Sequence, residues 1–323
     1  MALASTQNDF VIYDEEFNSA KDEKLLANID LWNSATRGAL VITTENLKGH
    51  YQKVSMYKAL AESVVKEYDP RNITQTVFDT IETFENVNVK VWRDSDFKKT
   101  VDSFKVLLLD PEFTFSQKVG MMTADLITKD AIETLLGAIL GATENSPANI
   151  IGDGTKALTF KDINKGQFVW GDQYSKVACM IAHSNTTRSL VDLNIDEKLD
   201  SIAGFTISSG SWNSLGIPVI TADLTCLKDG ANYKIAMLTA GAGLVIQSEK
   251  VSSWTDIDLD SRPAMMKLKR EWAYNVAIKG FSYNTAKGEY PLKAVLADKT
   301  AWTKTVSDDK DLPCVVFKVL ASA

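Results

Sequence analysis

One long segment constrains the fold of this chain more than any other. It begins with Asp110-Pro111-Glu112, where Asp can cap the free amides, Pro fits the first helical position and Glu opposes the positive helix end. Gly141 stands near the expected end of the segment. The pattern predicts one helix over residues 110–142, a rod of about 45 Å. Apolar residues recur along it at helical spacing, namely Val119, Met122, Leu126, Ile132, Leu135, Leu136, Ile139 and Leu140.

The composition predicts a globular protein with a sizeable core. The chain has 323 residues, of which 45% are hydrophobic and 24% are charged. At ~150 residues per domain, this length predicts about two lobes. The net charge of -7 disfavours a dedicated nucleic-acid reader, because such proteins usually present a basic face.

The cysteines and the first residues indicate the compartment. Cys179, Cys226 and Cys314 are far apart and odd in number, which predicts free thiols made in a reducing compartment. The N-terminal residues lack the basic and apolar regions of a secretion signal, and no apolar run approaches the ~20 residues that cross a bilayer. We therefore expect a soluble protein that is made in the cytoplasm and has no membrane partner.

The remaining segments mix helices and strands without a βαβ alternation, which predicts the α+β class. Val87, Val89 and Val91 alternate with polar residues and predict a strand, which a charged connection over 92–99 joins to a second strand at 104–109. These two strands predict a hairpin with a polar tip. Helices are also expected around 25–32 and at 56–68, 160–169 and 292–306, and strands at 40–43, 177–182, 218–220, 233–238, 244–246, 273–283 and 314–320.

No group of residues predicts catalysis. His50 and His183 are the two histidines, and neither has another His or a Cys at metal-ligand spacing. A Ser/His/Asp set around His183 stays open, although the Gly-x-Ser-x-Gly and Walker signatures are absent. Asp256, Asp258 and Asp260 resemble the start of an EF-hand loop without its glycine and closing Glu, so we expect a solvated loop. The sequence predicts no metal, no cofactor and no enzyme.

Several short segments follow one another in a characteristic order over nearly the whole chain. They are Asn8-Asp9-Phe10-Val11-Ile12-Tyr13-Asp14-Glu15, Asn86-Val87-Asn88-Val89-Lys90-Val91, Asp110-Pro111, Gly171-Asp172, Met180-Ile181-Ala182-His183-Ser184, Leu215-Gly216-Ile217-Pro218-Val219-Ile220-Thr221-Ala222-Asp223 and Gly241-Ala242-Gly243. None is diagnostic alone, but in this order the chain resembles the major capsid proteins of tailed bacteriophages, which have the Hong Kong 97-type fold.

The resemblance implies a role for each part of an α+β, Hong Kong 97-type capsid fold. The expected parts are an N-terminal arm (1–50), a helix and extended loop hairpin (51–109), a peripheral domain (110–204) with a spine helix (110–142), an axial domain (205–261) and a return to the peripheral domain (262–323). It also implies pentamers and hexamers of an icosahedral shell around double-stranded DNA, without sequence-specific binding. Scaffolding, portal and decoration proteins are the other candidate partners, and the virion capsid is the expected location.

Basic and aromatic residues are the candidate subunit contacts. Lys98 and Lys99 lie near the expected hairpin tip, and some members of the family crosslink a loop lysine to an asparagine of a neighbour. The sequence itself carries no sign of this reaction. The full set of candidates is Trp92, Arg93, Lys98, Lys99, Lys267, Lys269 and Arg270.

Two other functions are compatible with the sequence. A cellular nanocompartment shell of the same fold would package enzymes in place of DNA. An α+β enzyme with an unrecognised site would instead form a small discrete oligomer with a polar pocket.

Overall fold

The structure is a computed structural model that describes residues 14–45, 47–57, 83–100, 112–186, 198–202, 205–211, 217–258 and 265–320. The helices are α1 (Asp14–Ala35), α2 (Glu112–Thr143), α3 (Phe160–Val169) and α4 (Lys293–Leu296). The strands are β1 (Leu40–Thr44), β2 (Tyr51–Tyr57), β3 (Thr83–Thr100), β4 (Ile150–Ile151), β5 (Val177–Ala182), β6 (Lys198–Ile202), β7 (Phe205–Ser211), β8 (Pro218–Thr221), β9 (Lys228–Asp229), β10 (Asn232–Thr239), β11 (Gly243–Asp258), β12 (Met265–Ile278), β13 (Phe281–Tyr283), β14 (Trp302–Lys304) and β15 (Cys314–Leu320).

The long helix predicted over 110–142 is α2, which spans 32 residues and is therefore about 48 Å long. Asp110 and Pro111 lie outside the described residues. Thr128 and Thr143 are buried on this helix, and each donates its hydroxyl to the carbonyl four residues earlier, at 2.8 and 2.7 Å. This back-bonding satisfies the threonine hydroxyls inside an apolar environment.

One sheet has seven strands among the described residues, and its centre is the antiparallel pair of β11 and β12. β1 pairs with β11 in parallel, and β3 pairs with the other side of β12 along twelve register positions from Met265↔Thr100 to Val276↔Val89. β2 pairs in turn with β3. The helices α1 and α2 pack together, and Leu25, Leu135, Val245 and Trp272 share one core with this sheet.

A second sheet has eight strands among the described residues, in the order β4-β15-β10-β5-β8-β7-β6 with β9 beside β10. β15 lies between β4 and β10, and β5 and β8 run in parallel. The helix α3 covers this sheet, since Gly166 approaches the Phe317 ring so closely that a Cβ would lie 2.4 Å from it. Ile163, Met180, Met237 and Phe317 share the core of this layer.

Several predicted elements are confirmed. The helix at 160–169 and the strands at 177–182 and 314–320 have the predicted bounds. The strands expected at 40–43, 218–220, 233–238 and 244–246 lie within β1, β8, β10 and β11. A helix was expected around 25–32, and α1 contains that segment.

The hairpin predicted with its tip at 92–99 is wrong. Residues 92–99 lie inside β3 and pair with β12, with Arg93 opposite Trp272 and Lys98 opposite Lys267. Exposed Asp94 and Asp96 alternate with the half-buried Arg93 and Ser95. A strand with so many charged residues resembles a loop in composition. The predicted second strand at 104–109 lies outside the described residues.

Four smaller predictions need correction or lie outside the described chain. The helix expected over 292–306 is the four-residue α4, followed by a 3-10 turn and β14. The strand expected at 273–283 starts at Met265 and ends before a turn at Gly280, whose φ is 76°. Asp256 and Asp258 belong to β11 and not to a loop. Of the helix expected at 56–68, Met56 and Tyr57 belong to β2, and the rest lies outside the described residues.

The segment 205–261, expected to be one domain, contributes to both sheets. β7, β8, β9 and β10 belong to the eight-stranded sheet, whereas β11 is central to the seven-stranded sheet. The change of sheet falls in the turn at 240–242, where Gly241 has a φ of 70° and a left-handed conformation that favours glycine.

Candidate interaction surface

The outer half of β3, β12 and β11 forms a three-stranded ribbon with two unlike faces. We define the inner face by Arg93, Arg270 and Tyr274, which contact α2. We define the outer face by Trp92, Trp254, Lys267 and Lys269, whose side chains are exposed. The faces alternate because successive side chains of a strand point to opposite sides.

Arg270 lies on the inner face and is 4% exposed. Its guanidinium donates to the Thr123 hydroxyl of α2 and to the Ser95 hydroxyl at 3.2 Å. Burial lowers the pKa of Arg270. These contacts lie within the chain, and the role of Arg270 as a subunit contact stays a prediction.

Arg93 is also bound within its own chain. Its Nε lies 3.0 Å from Asp130 Oδ2, which also accepts a hydrogen bond from the Tyr274 hydroxyl at 2.6 Å. Lys293 Nζ lies 2.6 Å from the other oxygen of Asp130. Burial and the nearby Asp130 raise the pKa of Tyr274. One carboxylate thus joins α2 to β3, β12 and α4. The role of Arg93 as a subunit contact stays a prediction.

Glu133 stands one turn further along α2 and extends this network. It accepts hydrogen bonds from the Thr225 amide at 3.1 Å and the Thr225 hydroxyl, and it lies 3.0 Å from Lys293 Nζ. Partial burial would raise the pKa of Glu133, but hydrogen bonds from Thr225 and Lys293 outweigh it and lower the pKa. Burial alone would lower the pKa of Lys293, but the hydrogen bonds and charges of Asp130 and Glu133 outweigh burial. The pKa of Lys293 is therefore raised.

The outer face keeps three of the predicted contact residues. Trp92 is 39% exposed, and Lys90 Nζ lies 5.3 Å from the centroid of its ring. Lys269 forms an ion pair with Glu271 at 2.6 Å, which raises the pKa of Lys269. Lys267 is exposed and pairs through the backbone with Lys98, whereas the side chains of Lys98 and Lys99 lie outside the described residues.

Several apolar side chains are exposed in the structure, and the sequence did not predict their exposure. Met122 and Leu126, expected in the buried stripe of α2, are 65% and 57% exposed. Phe168, Tyr290 and Leu292 are exposed as well. Apolar residues at helical spacing predict a buried face, but the sequence does not tell which part of that face another element of the same chain will cover.

Among the described residues, His183, Ser184 and Asp223 do not form a catalytic triad. The Asn185 amide donates to His183 Nδ1 at 3.2 Å, and the Ser184 hydroxyl donates to Asp223 Oδ1 at 2.6 Å. A triad needs the hydroxyl on one ring nitrogen and the carboxylate on the other. Here the Ser184 hydroxyl, at 3.5 Å, and the Asp223 carboxylate, at 3.4 Å, both lie next to His183 Nδ1. Burial lowers the pKa of His183 despite Asp223, which favours the neutral ring.

Cys179, Cys226 and Cys314 are free, as predicted, and burial raises the pKa of each thiol to about 12. No three His, Cys, Asp or Glu residues of the described chain are grouped so that they could hold a metal ion. None of the described helices combines the length and the apolar character needed to cross a bilayer.

A family model described as Gp13-like, major capsid protein 13-like, matches residues 9–316. The chain belongs to this family of major capsid proteins. No curated protein matches the chain. The fold is also found in solved phage structures. A Mycobacterium phage Cain chain is 8% identical with a TM-score of 0.53, and each chain is covered to 90%.

Two further structures support the same fold. A Microbacterium phage Oxtober96 chain is 12% identical with a TM-score of 0.52, covering 88% of this chain and 90% of that one. A chain of the cyanophage Pam1 capsid asymmetric unit is 9% identical with a TM-score of 0.51, covering 88% and 89%. The expected α+β, Hong Kong 97-type fold and the resemblance to phage major capsid proteins are therefore confirmed. The chain is a structural protein of a phage capsid.

Proposed function

We propose that copies of this chain form hexamers and pentamers that close into an icosahedral shell around double-stranded DNA. The observation that carries the proposal is the family match over residues 9–316. Rings arise when identical subunits make heterologous contacts that close. Each contact can be modest in such a shell, because many contacts per subunit act together.

We assign the parts of the shell subunit from the two sheets. The peripheral part consists of α2, α4 and the seven-stranded sheet, which the network around Asp130 and Glu133 holds together. The axial part consists of α3 and the eight-stranded sheet. Residues 1–50 would serve as the N-terminal arm and the segment 51–109 as the extended loop, and their strands β1, β2 and β3 would join both parts to the peripheral sheet. The segment between β2 and β3 would form the end of this loop.

We assign the remaining subunit contacts to the outer face of the ribbon. Trp92, Lys267 and Lys269 are exposed there among acidic neighbours such as Asp96, which pairs with Lys269 in the strand register. A face with charges of both signs and exposed tryptophans suits a polar interface with a second copy, since aromatic residues are enriched in interface cores.

The net charge of -7 bears on how the shell holds its DNA. A protein that binds phosphates tightly releases counterions, so its DNA affinity falls steeply with salt. We propose that the shell binds DNA weakly and without sequence preference, which eases entry and exit of the genome. A steep salt dependence of DNA binding by empty shells would contradict this part of the proposal.

Other partners follow from the shell itself. Scaffolding protein would guide assembly, portal protein would occupy one vertex, and decoration proteins would bind the outside. We further propose that the chain is made in the cytoplasm of the bacterial host, which suits its three free thiols.

Negative-stain electron microscopy of the purified chain, expressed alone and with light scattering in parallel, tests the proposal. We expect closed shells, tubes or rings of five and six copies. A monomer or dimer that persists at high concentration and in the presence of a phage lysate would contradict the proposal and support the enzyme alternative. Shells that protect enzymes and no DNA from digestion would instead indicate a nanocompartment.

A pair of variants tests the outer face. Lys269→Glu reverses a charge on the outer face, and Lys310→Glu makes the same change at an exposed lysine outside the ribbon. We expect Lys269→Glu to lower the yield of assembled particles about tenfold, because like charges across an interface are costly, and Lys310→Glu to leave it unchanged. Equal yields would remove the outer face from the list of contacts.

A further inference from the structure

His183 lies at the point where β5 leaves the eight-stranded sheet and a helical turn begins. β5 ends at Ala182, and residues 184–186 have a helical conformation. The Thr186 amide donates to the His183 carbonyl at 2.9 Å, and the Asn185 amide donates to the ring nitrogen Nδ1 at 3.2 Å. His183 is therefore the N-cap residue of this turn, and its imidazole takes the place that the side chain of Ser, Thr, Asp or Asn usually has.

The hydrogen bond from Asn185 fixes the protonation state of the ring. A backbone amide can only donate, so Nδ1 must hold a lone pair and the proton of the neutral ring must lie on Nε2. When the ring gains another proton, both of its nitrogens become donors and the cap is lost. A hydroxyl or amide cap does not change in this way, since histidine is the side chain that ordinarily titrates in mild acid.

Among the described residues, two charged groups act on the ring, and they act in opposite directions. Asp223, which follows β8, has its Oδ1 3.4 Å from Nδ1, whereas the charge of Lys228 on β9 opposes protonation. The Tyr233 ring of β10 packs on the imidazole, with the two centroids 4.8 Å apart. The Asp223 side chain is 65% exposed, so solvent weakens its attraction for a charged ring.

Burial decides between these influences. His183 is 4% exposed, and its Nε2 is buried without a hydrogen-bond partner in the part of the chain that the structure describes. A charge placed here loses its water and gains no partner at Nε2, which is costly. Burial therefore outweighs the attraction of Asp223 and lowers the pKa of His183. The neutral ring, which caps the turn, is the preferred form at neutral pH.

We propose that His183 is a pH-sensitive helix cap that releases the turn at 184–186 in mild acid. The incoming proton binds Nδ1, which gives up the Asn185 amide and donates to Asp223 instead. β5 stays in its sheet, because Ile181 is fully buried and pairs with both β10 and β8. This device belongs to the single chain, so it does not depend on whether copies assemble.

The lowered pKa of His183 gives the direction of the pH effect. In the released turn the ring is in water, with an ordinary pKa of about 6.5, and it binds the proton more readily than the capped ring does. The cap is therefore fully formed above about pH 6.5 and is lost as the pH falls through the lower value of the capped ring. The hydrogen bond from the Ser184 hydroxyl lowers the pKa of Asp223, so this carboxylate is still charged when Nδ1 turns to it.

Hydrogen exchange at the Asn185 amide tests the proposal, measured by mass spectrometry of overlapping peptides and corrected for the intrinsic effect of pH on exchange. We expect the wild-type chain to lose protection about tenfold between about pH 7 and about pH 5. His183→Asn should keep its protection over this range, because the asparagine amide oxygen caps a helix and does not titrate. His50→Asn is the matched control at the other histidine of the chain, and it should lose protection as the wild type does.

Asp223→Asn gives a second measurement in which the capping ring itself is unchanged. The asparagine oxygen can still accept from Ser184, but the protonated ring loses its charged partner. The loss of protection should therefore move to lower pH, by about one pH unit.

Three results would overturn the proposal. Equal protection of the wild-type amide at both pH values would show that the cap does not respond to acid. A loss in His183→Asn that equals the wild-type loss would assign the effect to other groups, and its disappearance in His50→Asn would assign it to that histidine. If His183→Asn does not fold, an unchanged midpoint in Asp223→Asn would be the contradicting result.

Discussion

The two halves of α2 have the same apolar spacing and opposite surroundings. From Ala131 to Thr143 every residue except Glu133 is buried. In the first half, α1 covers only one side, and Met121, Met122 and Leu126 remain exposed. The difference shows that the same helical periodicity in this chain covers two kinds of surface, one packed against its own sheets and one left exposed.

Glycines at close contacts show how differently the two halves are held. A Cβ at Gly141 would lie 2.2 Å from the Ala297 carbonyl oxygen, so the carboxyl half touches a neighbouring backbone. A Cβ at Gly120 would lie 2.6 Å from the Phe17 carbonyl oxygen of α1. The first half thus packs closely against α1, with Arg270 of β12 bound to Thr123. The second half lies among elements that follow it in the chain.

The largest expected effect comes from Leu136→Ala, which removes a fully buried side chain. We expect a loss of about 4 kcal/mol in the free energy of unfolding, because the core cannot close over the cavity. The exposed Leu126 is the control, and Leu126→Ala should change stability by less than about 0.5 kcal/mol. Urea unfolding followed by tryptophan fluorescence measures both. Similar losses would erase the distinction between the two halves.

Gly141→Ala tests whether the carboxyl half is held at backbone distance. The added methyl group would meet a carbonyl oxygen, so we expect a loss of about 3 kcal/mol in unfolding free energy. Gly137→Ala is the matched control, because its Cβ would lie 3.5 Å from the Cys226 Cβ, an ordinary contact. It should gain up to about 1 kcal/mol from helix propensity. Thermal unfolding of the two variants should move in opposite directions.

Asp130→Asn tests the carboxylate at the junction of the two halves. Arg93, Tyr274 and Lys293 all contact this group. The amide cannot serve three donors, two of them charged, so we expect a loss of about 2 kcal/mol in the free energy of unfolding. Glu271→Gln, at an exposed ion pair, should cost less than about 1 kcal/mol. Equal effects in denaturant titrations would show that the junction is no stronger than a surface pair.

The smallest effect concerns pH. The pKa of Glu133 is lowered in the folded chain, because the hydrogen bonds from Thr225 and Lys293 outweigh burial. Its contribution to stability is therefore full above the ordinary pKa of about 4.3 and is lost as the pH falls through the lower folded value. Glu133→Gln should flatten the acid side of a plot of urea midpoint against pH. An unchanged acid limb would assign that dependence to other carboxylates.

Local signals explain the elements that the sequence predicted well. The helix α3 starts where the Thr159 hydroxyl accepts from the Asp162 amide, and the buried β5 is a plain apolar run. Local signals do not predict that β3 continues through residues 92–99. Its charged residues are strand residues only because β12 lies beside them, and β12 follows far later in the chain.

The contact residues were harder to predict for the same reason. Arg93 and Arg270 look like free surface charges in the sequence, but their partners, Asp130 and Thr123, lie 37 and 147 residues away. Trp92 and Lys269 remain exposed, and only the positions of neighbouring strands separate them from the two arginines. Composition selects candidates for a surface, whereas the fold decides which of them point outwards.

The interior position of β15 also determines when the eight-stranded sheet can be completed during synthesis. β4 pairs with β15 across roughly 170 residues, and at about 5–20 residues per second a ribosome needs about 10–30 s to span that interval. The ribosome makes β5 and β10 within this interval, but the sheet still lacks β15, the strand that joins β10 to β4. A nascent chain therefore cannot complete the eight-stranded sheet before β15, which ends at Leu320, is made. Any association of copies that needs the complete sheet must therefore wait until translation of the chain is almost finished.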